Sequence, residues 1–68
     1  MVNDNQPEDR LIKLDEVKLI VGLGKTMIYR LEREGNFPKR YKPGGWSTRW
    51  SEREVCAWRA EQREGRAA

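Results

Sequence analysis

The stretch Gly22-Leu23-Gly24-Lys25-Thr26-Met27-Ile28-Tyr29-Arg30-Leu31-Glu32-Arg33-Glu34-Gly35 decides how this chain folds. Gly35 stands where a helix end wants a left-handed residue, and Pro38 soon after blocks extension. A helix is therefore predicted over residues 25–34. Its two faces separate cleanly. Ile28 and Leu31 are three apart and point inward, with Met27 at the edge. Lys25, Tyr29 and Arg33 recur every four residues, and Thr26 and Arg30 recur beside them. Those five side chains share one polar, basic surface. Upstream, Val17, Ile20 and Val21 fall at i, i+3 and i+4 and make the apolar stripe of a shorter helix. Asp15 opens that helix, as its N-cap or as a first-turn acid that suits the helix dipole. Gly22 stops it. Two short helices about a glycine turn are the pattern of a helix-turn-helix.

Outward from this centre the pattern changes period. Residues 10–14 alternate loosely and read as a short strand. Phe37 and Pro38 lead into Lys39-Arg40-Tyr41-Lys42, then the turn Pro43-Gly44-Gly45, then Trp46-Ser47-Thr48-Arg49-Trp50. Two runs about such a turn predict a β-hairpin. Ser51 followed by Glu54 is a capping box, so a third helix starts there with Val55 and Trp58 inward. The expected order is helix, turn, helix, basic hairpin, helix. The fold class is thus mainly α with a small β-hairpin: a winged helix-turn-helix over residues 10–60. Residues 1–9 are expected to be a flexible arm and residues 61–68 a frayed tail. Leu14, Val17, Ile20, Val21, Leu23, Ile28, Leu31, Phe37, Trp50, Val55 and Trp58 are the expected core.

Sixty-eight residues leave room for one domain, and the usual staples of small domains are missing. A single cysteine, Cys56, forms no internal disulfide, and the absence of histidine removes the common zinc-ligand patterns. A lone thiol, no export-type leader and no long apolar run point to a soluble protein of the cytoplasm, associated with the nucleoid. Net charge is +3, and its distribution is more telling than its size. Between residues 25 and 50, Lys25, Arg30, Arg33, Lys39, Arg40, Lys42 and Arg49 face only Glu32 and Glu34. Positive charge collects where a polyanion would meet the surface.

These features favour binding over catalysis. A nucleophile–imidazole arrangement is impossible without histidine, and the acids sit at spacings that suit helix-surface ion pairs. Gly24-Lys25-Thr26 matches the end of a phosphate-binding loop, but Leu19 stands where the first glycine is required and no suitable strand precedes it. No cofactor or metal is expected. Lys25, Thr26, Tyr29, Arg30 and Arg33 read as the face of a recognition helix for the major groove of double-stranded DNA. Arg30 is suited to a guanine edge, and Tyr29 to a phosphate or a thymine methyl. Lys39, Arg40, Lys42 and Arg49 read as wing contacts to the backbone, or as edge-strand charges that prevent aggregation. Trp46 at the turn either meets sugar and DNA or folds back on the wing. Trp50 and Trp58 are expected in the core, with Cys56 a partly buried filler beside them. The competing reading is a protein-interaction module of anti-repressor type, using the basic face against an acidic partner.

Taken together, residues 23–30 (LGKTMIYR), the exit Glu34-Gly35-Asn36-Phe37-Pro38, then Gly45, Arg49-Trp50 and the helix bearing Val55-Cys56-Ala57-Trp58 resemble the AlpA family of prophage regulators. The resemblance spans residues 10–59. It implies a MerR-like winged-helix fold and a role in controlling a mobile element. That role is activation of integrase expression, or bending of attachment-site DNA so that excision is favoured. It also implies double-stranded DNA as partner and an integrase as an associate. A single module of this size contacts few base pairs, so further copies of the chain on repeated sites are expected. Two positions depart from the family pattern. Gly24 stands where a serine usually caps the second helix, and Asp15 where proline is common. Glycine is a tolerable cap, but a phosphate contact from the serine hydroxyl is lost.

Overall fold

A computed structural model describes residues 9–65 of the chain. In order these form β1 (Leu11–Ile12), α1 (Leu14–Val21), α2 (Lys25–Arg33), a 3-10 turn (Pro43–Gly45), β2 (Trp50–Ser51) and α3 (Glu52–Gly65). α1 ends on Gly22 at φ 73°, whose N–H donates to the carbonyl of Lys18. Past α2, Gly35 adopts φ 80°. A side chain at either site would be strained in the left-handed region, which is why both stops were readable as glycines. Asp15 lies in the first turn of α1, while Lys13 occupies the N-cap position. Leu14 belongs to α1 and not to the strand, because its side chain packs on the core from the helix.

The sheet joins the strand before α1 to the strand before α3. β1 and β2 are antiparallel, with Leu11 opposite Ser51 and Ile12 opposite Trp50. The N–H of Glu52 donates to the carbonyl of Arg10 at 2.8 Å, continuing the ladder. The predicted hairpin is shorter than residues 39–42 and 46–50 would allow. Its arms meet at one bridge, Tyr41 with Arg49, through N–H to carbonyl bonds of 2.6 and 2.9 Å. Burying the Trp50 ring directs the second arm to Ile12 instead of along the first arm. The result is mainly helical with a small antiparallel β element, a winged helix-turn-helix.

Ile12, Val17, Ile28, Phe37, Trp50 and Val55 form the buried core, with Leu14, Ile20, Val21, Leu23, Leu31 and Trp58 packed against it. Every residue expected in the core is there; Ile12 and Tyr29 join them. Full burial of Val17, Ile28 and Val55 contributes about 1.5–3 kcal/mol each. Trp58 is half-buried. Its ring meets Phe37 edge-on at 4.8 Å and its Nε1 donates to the carbonyl of Asn36 at 2.6 Å. Cys56 is exposed, not a partly buried filler. It follows Val55, which faces fully inward, and one residue along a helix turns the side chain by about 100°. α3 continues to Gly65, past Ala60 where the apolar pattern fades. Arginine, glutamate, glutamine and alanine are good helix formers, so the helix propagates without an apolar stripe. The flexibility expected of residues 1–8 and 66–68 falls outside the described residues.

Asp9, the last residue of the expected arm, is held. Its carboxylate accepts from the Ser51 hydroxyl at 2.8 and 2.9 Å and from the Arg53 N–H at 3.0 Å. Ser51 in turn accepts from the Glu54 N–H at 3.1 Å, which is the capping bond the sequence pointed to. Arg10 donates to Glu52 through two nitrogens, at 3.1 and 3.0 Å, and to Glu16 at 2.6 Å. The Arg53 amide and the Ser51 hydroxyl hold Asp9 below its ordinary value, and the Arg10 guanidinium does the same for Glu52. Carboxylates with depressed folded-state values add stability that is complete above the ordinary values of 3.8 and 4.5 and is lost as pH falls through the lowered ones. The double variant D9N/E52Q should melt lower than the wild type at neutral pH. On acidification to about pH 2, its melting temperature should fall less. Parallel curves of melting temperature against pH would refute this account of the clasp.

Candidate nucleic-acid interface

Ile28, wholly buried, fixes the rotation of α2 on the core. The opposite face then turns outward, and Lys25, Thr26, Arg30 and Arg33 are all exposed. None of the three cations is ion-paired with another described residue. At the start of α2, Gly24 is in extended conformation and makes no side-chain cap. The first helical N–H groups are left pointing outward beside Lys25 and Thr26, an arrangement that attracts anions. Tyr29 is different from its neighbours. It is half-buried, with its ring centroid 6.1 Å from that of Trp50 and the guanidinium of Arg40 5.2 Å above it. It forms the floor of the face and joins it to the wing.

The wing cations divide into two pairs. Lys39 and Lys42 are exposed, and among the described residues the Lys42 ammonium reaches only the Thr48 hydroxyl, at 3.4 Å. Arg40 and Arg49 are engaged within the protein. Arg40 donates to Glu32 through its backbone N–H at 2.7 Å and through Nη1 at 2.8 Å. Arg49 is half-buried and donates to the Thr48 carbonyl at 2.9 Å. Between α2 and the wing runs an open groove bordered by Tyr29, Arg33, Lys39, Arg40, Lys42 and Thr48. Trp46 projects from the turn with 82% of its surface exposed. One edge of its ring covers Gly44, where a Cβ would approach to 3.4 Å.

Sequence reasoning missed the acids that hold this surface in shape. Glu32 ties Arg40 to α2, and Glu54 accepts from the Tyr41 hydroxyl at 2.9 Å. The Glu54 carboxylate favours the protonated phenol and raises the Tyr41 pKa. Adjacent residues of an extended segment point to opposite sides, so Arg40 meets one helix and Tyr41 the other. The signal for Glu32 was its charge: an acid amid so many cations asks for a partner. Among the described residues, no cluster of cysteine and acidic side chains is placed to hold a metal ion. No helix among them is long and apolar enough to cross a membrane.

A family model described as prophage CP4-57 regulatory protein (AlpA) matches residues 10–63. Those residues take in both helices of the helix-turn-helix, the wing and nearly all of α3. The chain is also 37% identical over 59 residues to the uncharacterized protein ORF88 of Enterobacteria phage P4, which covers 87% of this chain and 67% of that protein. No solved structure matches it. With its helix-turn-helix and wing inside the matched span, the chain belongs to the family of AlpA prophage regulatory proteins.

Proposed function

We propose that this protein binds double-stranded DNA at specific sites and regulates a prophage-type element, as a transcriptional regulator or as the factor that biases recombination toward excision. One observation carries the reading: α2 presents Lys25, Arg30 and Arg33 outward, without ion-pair partners among the described residues, beside a wing bearing Lys39 and Lys42. In this reading α2 enters the major groove, where Arg30 meets a base edge and Lys25 and Thr26 meet phosphate or base. Tyr29 supports that face and reaches a phosphate from its half-buried position. Arg33, Lys39 and Lys42 line the groove toward the backbone, and Arg49 shapes the wing from within. Trp46, exposed at the turn, meets the sugar surface. One module covers few base pairs, so useful specificity calls for several copies on repeated sites, with the DNA bent between them. An integrase is the partner that an excision role would bring.

Fluorescence anisotropy with labelled duplexes at several salt concentrations tests the reading. Binding should weaken steeply with salt, as phosphate neutralisation releases counterions. Lys42→Ala should weaken binding to all sequences alike and lower the slope of log K against log salt by about one. Absence of binding to any duplex at low salt would favour the alternative, an acidic protein partner on the same face.

A further inference from the structure

Glu32 opposes the charge of its surroundings. It stands on α2 in a segment dominated by cations, and a carboxylate beside phosphates weakens binding. Yet its side chain is only 11% exposed, and both of its oxygens are used. Oε2 accepts the backbone N–H of Arg40 and Oε1 accepts its Nη1. The same guanidinium lies over Tyr29, whose ring leans on Trp50. One residue of the wing is thus gripped from α2 by main chain, by charge and by stacking. The other ties of this arm run elsewhere: Tyr41 bridges to Arg49 and donates to Glu54 on α3.

From this geometry we infer that Glu32 is a positioning residue for DNA recognition, locking the wing to α2 through Arg40. Arg40 serves the lock and not a phosphate. The inference rests on the DNA reading above. Two contact surfaces that must meet one duplex gain affinity when their relative placement is set before binding. Charge-assisted hydrogen bonds of this length are the strong kind. Without Glu32 the wing stays attached through Tyr41 but is no longer fixed relative to α2.

Charge and lock predict opposite signs, so binding separates them. Removing Glu32 adds one positive charge, which by itself tightens binding to any duplex. The experiment uses the full chain and two labelled duplexes: the tightest binder selected from a random pool, and a scrambled version of the same composition. E32A should bind the scrambled duplex at least as well as the wild type but the selected one about tenfold more weakly. E32Q carries the same charge change but keeps an amide oxygen to accept the Arg40 N–H, and should recover part of that loss. R40A and R40K should both weaken the selected complex. R40A should leave the salt slope unchanged, and a lysine keeps a phosphate contact but not the planar guanidinium that bonds Glu32 through Nη1 while lying over Tyr29. Thermal melts check folding; if E32A unfolds, R40K and E32Q still decide the matter. E32A and E32Q tightening both duplexes equally, R40K binding like the wild type, or R40A lowering the slope by about one would each overturn the lock. Failure of the wild type to bind either duplex strikes the DNA reading itself, a different result from any of these.

Discussion

Trp50→Ala should remove a large share of this protein's stability. Trp50 has no exposed surface and sits where the wing strand, β1 and α2 converge. Truncating a buried tryptophan to alanine costs about 3–5 kcal/mol in lost contacts and cavity. A domain of this size has roughly 3–10 kcal/mol in total. No disulfide is available to compensate, since Cys56 is the only cysteine. Trp50→Phe should be much milder. The indole Nε1 is buried with no hydrogen-bond partner among the described residues. An unpaired buried donor costs about 1–3 kcal/mol, so losing it offsets part of the lost volume. A net loss of about 1–2 kcal/mol is expected for phenylalanine. Urea denaturation followed by circular dichroism reads both variants. A cooperative Trp50→Ala transition within about 1 kcal/mol of wild type would mean that the core is not organised around this ring.

The contrast between Trp50 and Arg40 shows what the sequence made legible. Trp50 was readable as core because aromatic size and flanking strand formers are local properties. Its partner Ile12 was not, since antiparallel pairing across more than half of the chain leaves no trace in local periodicity. Gly22 and Gly35 marked helix ends because backbone geometry restricts those sites to one residue type. The faces of α2 followed from spacing alone, and Lys25, Thr26, Arg30 and Arg33 are exposed as that spacing requires. Tyr29 shares their spacing but is half-buried, since the ring of Trp50 and the guanidinium of Arg40 close over it. Arg40 and Lys42 look alike as wing cations two residues apart. Only the fold pairs Arg40 with Glu32 and leaves Lys42 without an ion-pair partner among the described residues. Spacing within one element is written in the chain, whereas contacts between elements depend on packing that the pattern does not encode.

Arg30→Ala should remove discrimination at one base pair while leaving the protein as stable as before. Arg30 is exposed, one helical turn beyond Thr26, and unpaired among the described residues. Its loss opens no cavity, so the melting temperature should stay close to that of the wild type. A guanidinium that donates twice to the O6 and N7 of guanine distinguishes that base by about 1–3 kcal/mol, roughly five- to 150-fold in affinity. The contact proposed for Arg30 is to a base, so affinity for the selected duplex should fall toward that for its mismatched relatives, which the variant and wild type should bind more alike. Lys42→Ala should instead weaken every duplex together. A panel of duplexes, each altered at one base pair of the selected site, separates these outcomes. The wild type should show a penalty at a guanine that Arg30→Ala no longer shows, with the other positions still discriminated. If the variant retains the whole pattern of penalties, the face of α2 that carries Lys25, Thr26 and Arg30 is not the one that reads the sequence.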